Sequence, residues 1–471
     1  MDGGHEFRVG LRSLEREVIA PARLPIVGQV PADLRGTLYR VGPSRWDVFG
    51  DRLRHWFDGD GMIHALTLDA GGATYRCRFV QQSAHVEEDR ARRRLYGSFG
   101  TSPPGGRLRR LFHRKQRRNP ANTHVVAHAG GLFALCEAGR PWRVDADDLS
   151  TLGEETLGGL LETPLATFAA HPRRDPASGE LWGFGTEQGR VPKLHLYRWP
   201  ERGAASKVAS VALPMPAMIH DFGLTPRSAV VVATPVVTPR VPLGLMLGQS
   251  SYGENLRYRP ELGAQIGVVD RRTGAARWFE TDPFLGFHVV NAYDEHETVV
   301  VDVCAYASED LLRVFYEMMG EGPLRRVAGS LRRLVIERRT GTVRWEVLLG
   351  RSFEFPRIGE AWSGRPYTRA FGLTWEGSDI PGRPAVFEVE SRRLLTAPLP
   401  AGAWAGELVP VAKVGARDEG DVWLLSVVLD AREAASELQI FDGRDLEAGP
   451  VARARLPHVM PLGFHGSWVP A

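Results

Sequence analysis

The chain writes the same hairpin twice. Residues 264–270 are apolar and alternating, Arg271-Arg272-Thr273-Gly274 turns, and 275–279 returns; 333–337, Arg338-Arg339-Thr340-Gly341 and 342–348 repeat it. A run rich in Val, Ile and Trp, stopped at a Gly/Asp/Thr turn and resumed, marks antiparallel strands. The same reading pairs 123–126 with 132–135 across Ala129-Gly130-Gly131, and predicts strands at 228–237, 298–305, 384–390, 421–428 and 437–441. The best helix is short, 309–319. With 52 glycines and 33 prolines in 471 residues, above the usual ~7% and ~5%, turns are favoured over long helices. The repeat spacing is too uneven for a solenoid. An all-β chain of many four-stranded units in one large domain fits a β-propeller.

Composition narrows the function classes. A net charge of +3 gives no whole-protein attraction to nucleic acid. The three cysteines, Cys77, Cys136 and Cys304, are dispersed, with neither a disulfide framework nor a CxxC metal spacing. Residues 1–10 are polar, without the apolar core of a signal peptide, and no apolar run reaches the ~18 residues of a spanning helix. The expectation is a cytoplasmic protein, soluble or peripheral at a membrane.

Residues 456–468 form an apolar, aromatic, acid-free stretch where a chain would ordinarily fray, so they are expected to be tied down inside the fold. Within them, His465 lies in Gly463-Phe464-His465-Gly466. Three other places look alike: Ala170-His171-Pro172, Ile219-His220-Asp221 and Phe287-His288-Val289. Taken singly, each of the four is more often a satisfied core residue than a ligand. Together they are expected to converge on one axis, where neutral imidazole suits iron, copper, zinc or nickel. Ligating imidazoles need an acceptor on the other ring nitrogen. Glu137, Glu354 and Glu407 stand in apolar settings as candidates, though each also fits a plain salt bridge.

Other features read as structural. Asp58-Gly59-Asp60-Gly61 reads as a tight turn using glycine at positive φ, and lacks the further acids of a calcium loop. His124 and His128 sit four apart on a strand, not a helix, and take a structural or exposed role; His55 and His64 are structural as well.

Several pieces together resemble the carotenoid cleavage oxygenases, the group that includes apocarotenoid and stilbenoid dioxygenases and the retinoid isomerase of the eye. They are Gly36-Thr37-Leu38-Tyr39-Arg40, the stretch 55–64, Asn122-Thr123, the stretch 168–181, His220-Asp221-Phe222, the stretch 287–293, Glu354-Phe355-Pro356-Arg357-Ile358 and Gly463-Phe464-His465-Gly466. The resemblance implies a seven-bladed propeller with short helices and loops capping one face. It implies Fe(II) on the axis held by His171, His220, His288 and His465, with Glu137, Glu354 and Glu407 orienting imidazoles. The implied reaction is cleavage of a conjugated C=C bond by O2 to two carbonyl products. Residues 1–35 would be an N-terminal arm and 36–471 the catalytic propeller.

Two departures stand out: Val41 replaces a common asparagine, and Cys136 stands where stilbenoid-cleaving members have a lysine. The second weighs against stilbenoid cleavage, which remains the alternative, ahead of a non-oxidative isomerase and a non-catalytic scaffold. Phe287, Trp142 and Phe464 are candidate tunnel residues. The resemblance also places a membrane-docking segment at the basic stretch 107–118, where Leu108, Leu111 and Phe112 share one helical face, with 241–247 beside it.

Overall fold

The computed structural model describes residues 3–111, 118–137, 139–163, 166–239, 241, 243–375 and 382–471. Seven antiparallel sheets follow one another as the blades of a propeller. Five are four-stranded meanders. Blade two is His124–His128, Gly131–Leu135, Trp142–Val144 and Thr151–Glu154; blade three runs Arg173–Arg174 to Ser206–Ala212; blade four runs Phe222–Leu224 to Ala276–Thr281. Blade five runs Val289–Glu295 to Val343–Leu349, and blade six Ser352–Arg357 to Arg393–Thr396.

The remaining two blades use both ends of the chain. In blade one, Gly466–Pro470 pairs with Gly36–Arg45, which continues through Asp60–Asp69 and Gly72–Phe79 to Val18–Arg23. In blade seven, Ile26–Gly28 pairs with Ala452–Arg455 at the outer edge of the strands Val422–Asp430 and Ala435–Asp442. The 456–468 stretch is thereby packed down, with Phe464 and His465 buried. Alternation explains the cores. Gly72–Phe79, for example, buries every second residue, Ala73, Tyr75, Cys77 and Phe79, against the neighbouring sheet.

The two Arg-Arg-Thr-Gly turns close hairpins as expected, with Gly274 at φ +72° and Gly341 at φ +82°. The short helix is Asp310–Glu317. Two expectations fail. The 228–237 strand is broken into Ser228–Ala233 and Val236–Val237, because Pro235 cannot donate to a ladder. Asp58-Gly59-Asp60-Gly61 is no positive-φ turn: Gly59 has φ −67°, and Asp60 already opens the strand Asp60–Asp69. Gly61 is needed for closeness, since a Cβ there would stand 2.2 Å from Ala121 O.

Candidate metal centre

Each of the four histidines lies at or just before the first strand of a blade: His171 before Arg173–Arg174, His220 before Phe222–Leu224, His288 before Val289–Glu295, His465 before Gly466–Pro470. First strands line the axis, so four loops from four blades deliver four imidazoles to one point. One ring nitrogen from each lies within 4.8 Å of all the others. Asp221 stitches three of these segments together, those of His171, His220 and His288. It accepts from Phe222 N at 2.7 Å, from Val289 N at 2.8 Å and from Arg173 Nη2 at 2.6 Å.

The three glutamates stand behind the imidazoles. His465 Nδ1 is 2.7 Å from Glu407 Oε1, and His288 Nδ1 meets Glu354 Oε2. His220 Nδ1 lies 2.9 Å from Glu137 Oε1, by a bent approach that leaves this oxygen without an aligned donor. Glu354 is aimed by a bulge. Phe355 takes φ +50° and the register slips between Glu354 and Arg357. Successive strand residues normally face opposite ways; here the extra residue lets both face the axis. Glu354 thus reaches His288, while the Phe355 ring sits 5.6 Å from His288 and 5.2 Å from His465.

Burial and neighbours set the charge states. Burial pushes the His171 imidazole well below its usual range, with the surrounding histidines adding to the effect. Burial likewise takes His465 down to about 3, against the pull of Glu407. At His288 burial also pulls down, but Glu354 outweighs it and the pKa is raised. For Glu137, burial pushes up and His220 more than compensates, so the carboxyl stays low.

The donor set fits a metal ion. His171 Nε2 and His220 Nε2 are 2.9 Å apart, and the buried Nε2 of His288 has no hydrogen-bond partner. Carboxylates at Nδ1 of three rings leave their Nε2 lone pairs facing inward. Imidazole nitrogens about 2.1 Å from one shared ion, at a right angle, stand about 3 Å apart.

A cavity of about 430 Å³ reaches this cluster, within the usual size range of ligand pockets. Its wall is aromatic. The Phe57 ring packs 4.8 Å from Phe315, 5.3 Å from Phe464 and 5.4 Å from Phe99, and Trp56 is 4.7 Å from Phe464. Phe287, Cys136, His220, His288 and His465 also line it. Trp142 does not. It lies in the third strand of blade two, packed against Val125 and Leu132 away from the axis.

Sequence reasoning missed three participants. His124, read as structural or exposed, is buried with its ring 5.4 Å from His465. Tyr306 donates to Glu354 Oε1 at 2.9 Å. Arg357 pairs with Glu407, Nε to Oε1 2.8 Å. The spacing of His124 from the Asn122-Thr123 motif was the available signal for the first. Strand geometry was needed for the others.

Beside the cavity mouth, Arg107–Leu111 is a short helix, and Gln249 Nε2 donates to Arg107 O, tying it to the segment holding Leu243–Met246. Leu108 is 77% exposed, Leu111 44%, Leu243 60% and Met246 52%. Phe112 and the mostly basic residues 113–117 lie outside the described residues. No helix among the described residues is long and apolar enough to cross a membrane.

Comparison with known proteins places this architecture. The family described as RPE65, retinal pigment epithelial membrane protein, matches residues 11–470. The apocarotenoid-15,15'-oxygenase of Synechocystis sp. is 32% identical over 458 residues, covering 94% of this chain and 92% of that one. Resveratrol cleavage oxygenase 1 of Aspergillus fumigatus is 27% identical over 484 residues, covering 95% and 92%. The crystal structure of cobalt-substituted Synechocystis apocarotenoid oxygenase superposes with a TM-score of 0.91 at 29% identity, covering 99% of this chain and 98% of that one. By a family match spanning nearly its whole length, on a fold of seven blades around four histidines, the chain belongs to the RPE65 family of carotenoid cleavage oxygenases.

Proposed function

We propose that this enzyme is a non-haem Fe(II) dioxygenase that cleaves one conjugated C=C bond of a carotenoid or apocarotenoid with O2, giving two carbonyl products. The observation that carries the reading is the cluster of four imidazoles opening onto an aromatic cavity. His171, His220, His288 and His465 would hold the iron. The chemistry Fe(II) brings when bound is activation of O2 towards an alkene.

The protein's own residues do the rest. Glu137, Glu354 and Glu407 keep three imidazoles in the tautomer that turns Nε2 inward. Trp56, Phe57, Phe287 and Phe464 give a flat polyene ring faces to lie against and exclude water from the reacting bond. Cys136 beside Glu137 offers a thiol where a phenol-gripping cation would favour a stilbene, so the polyene is the preferred substrate over the resveratrol type.

The same reading makes the protein cytoplasmic and peripheral at the inner face of a membrane. Leu108, Leu111, Leu243 and Met246, framed by Arg107 and Arg109, suit an anionic leaflet that dissolves such substrates. By its place in the sequence, Phe112 belongs to the same proposed docking stretch. The reading also divides the chain into an arm, residues 1–35, whose strands Val18–Arg23 and Ile26–Gly28 edge blades one and seven, and one propeller domain, 36–471.

The test is aerobic incubation of iron-loaded enzyme with a carotenoid, an apocarotenal and a stilbene, with products read by mass spectrometry under 18O2. Labelled aldehydes from a polyene are expected. Isomerised but uncleaved polyene, or turnover of the stilbene alone, would overturn the assignment.

A further inference from the structure

Three of the four clustered imidazoles lean on a carboxylate. His171 does not: among the described residues it pairs with no Asp or Glu. What aims it must lie in the backbone that carries it, and that backbone is gripped from two sides. Ala169 N donates to Phe184 O at 2.6 Å, and the carbonyl of Ala170 lies 2.9 Å from His124 Nδ1.

Chemistry sets the direction of the second bond. The Arg357 guanidinium stands 3.3 Å from His124 Nε2 and can only donate. Nε2 therefore presents its lone pair, and the ring proton sits on Nδ1, pointed at the Ala170 carbonyl. Gly466 O, 3.4 Å from the same Nε2, could accept only from the other tautomer, which would set the Nδ1 lone pair against the Ala170 carbonyl at 2.9 Å and a ring N–H against the guanidinium. Arg357 is held in turn by Glu407 and Gly466 O, and Glu407 holds His465. A continuous hydrogen-bonded path thus runs from His465 through Glu407, Arg357 and His124 to the peptide preceding His171.

We propose that His124 is a positioning residue for the metal centre. By donating from Nδ1 to Ala170 O it fixes the peptide that aims His171, and so serves the fourth imidazole as the glutamates serve the other three. This rests on the reading of the four histidines as one metal site.

The test loads the full-length protein with Co(II) and measures affinity by chelator competition and geometry by the visible d–d bands. His124→Leu removes the donor. His124→Asn keeps an N–H near the position of Nδ1. The leucine variant is expected to bind Co(II) about 10-fold more weakly, as loss of an outer partner typically does, with shifted bands. The asparagine variant should stay within about threefold of wild type with the native spectrum. In a His171→Ala background, His124→Leu should change nothing further. Should the leucine variant not fold, His124→Gln, whose amide falls at Nε2, replaces it with the same expectation.

Wild-type affinity and bands in the leucine variant would overturn the proposal. So would an asparagine variant as impaired as the leucine one, or an undiminished effect of His124→Leu without His171. If His171→Ala alone binds Co(II) as tightly as wild type, the metal assignment itself fails, and the positioning role falls with it.

Discussion

Arg40 and Glu407 face each other inside the molecule, Nη1 3.1 Å from Oε2, with both side chains shut off from solvent. Arg40 also donates to Phe464 O at 2.8 Å, one residue before His465. Glu407 further accepts from Gly466 N at 2.9 Å. Burial alone would push this carboxyl up, but Arg357, His465 and Arg40 outweigh burial and hold it well below the usual carboxylate range. Glu407 is thus both the partner of an imidazole and the counter-charge of two guanidiniums.

That double duty separates it from the other two glutamates. Glu407→Gln leaves a buried guanidinium uncompensated and should cost about 3–5 kcal/mol of stability. Glu137→Gln, whose side-chain partners among the described residues are His220 and Thr123, should cost far less stability while weakening metal binding about 10–100-fold. Urea unfolding of the metal-free variants distinguishes them. Equal midpoints for the two would show that Glu407 carries no such burden.

For the metal itself, His220→Ala and His288→Ala should each lose activity and bind iron far below one per chain, and a chelator should silence the wild type until Fe(II) is restored. Elemental analysis alongside turnover reads this out. Full iron and full turnover in either variant would remove that histidine from the site.

A pH effect follows from His55, which is buried among aromatic rings away from the metal and accepts from Phe57 N at 3.1 Å. Burial depresses its pKa from 6.5 to about 3. Between those values the unfolded chain takes up a proton that the folded one refuses. Stability is therefore intact above about pH 6.5 and falls as the pH drops, with this one group contributing up to about 1.4 kcal/mol per pH unit. His55→Asn, which keeps an acceptor for Phe57 N, should lower the slope of unfolding free energy against pH between 4 and 6 by one proton. An unchanged slope would place the proton uptake elsewhere.

At the surface, the enzyme should bind anionic liposomes reversibly and release them with salt, each basic side chain near the surface adding about 1 kcal/mol. Leu111→Glu with Met246→Glu should weaken flotation while leaving turnover of detergent-solubilised substrate intact. A double variant that floats like wild type would reduce the segment to a charged loop.

Much of this was legible because local chemistry carried it. Arg-Arg-Thr-Gly between apolar runs can hardly be anything but a turn between strands, and histidines beside Gly, Phe and Asp at strand starts advertise their own exceptional setting. What stayed hidden depends on approach between distant segments. Gly61 is glycine because Ala121 O stands against it, which no neighbour in sequence reveals. Phe355 reaches the axis through a bulge that reads as plain strand. Trp142 sits close in sequence to Glu137 yet one strand further out than the strand Glu137 follows. His124 looked ordinary because its partners, Ala170 and Arg357, come from other blades.

The pairing of Gly466–Pro470 with Gly36–Arg45 has a consequence for biosynthesis. The ring is sealed by a strand translated long after the one it must join, and His465 precedes that strand directly. Six blades can leave the ribosome with three of the four imidazoles already made, yet the centre stays incomplete until residue 470 has emerged. A nascent or prematurely terminated chain would therefore carry an open ring and a three-histidine site, so closure of the fold and completion of the metal centre become a single late event.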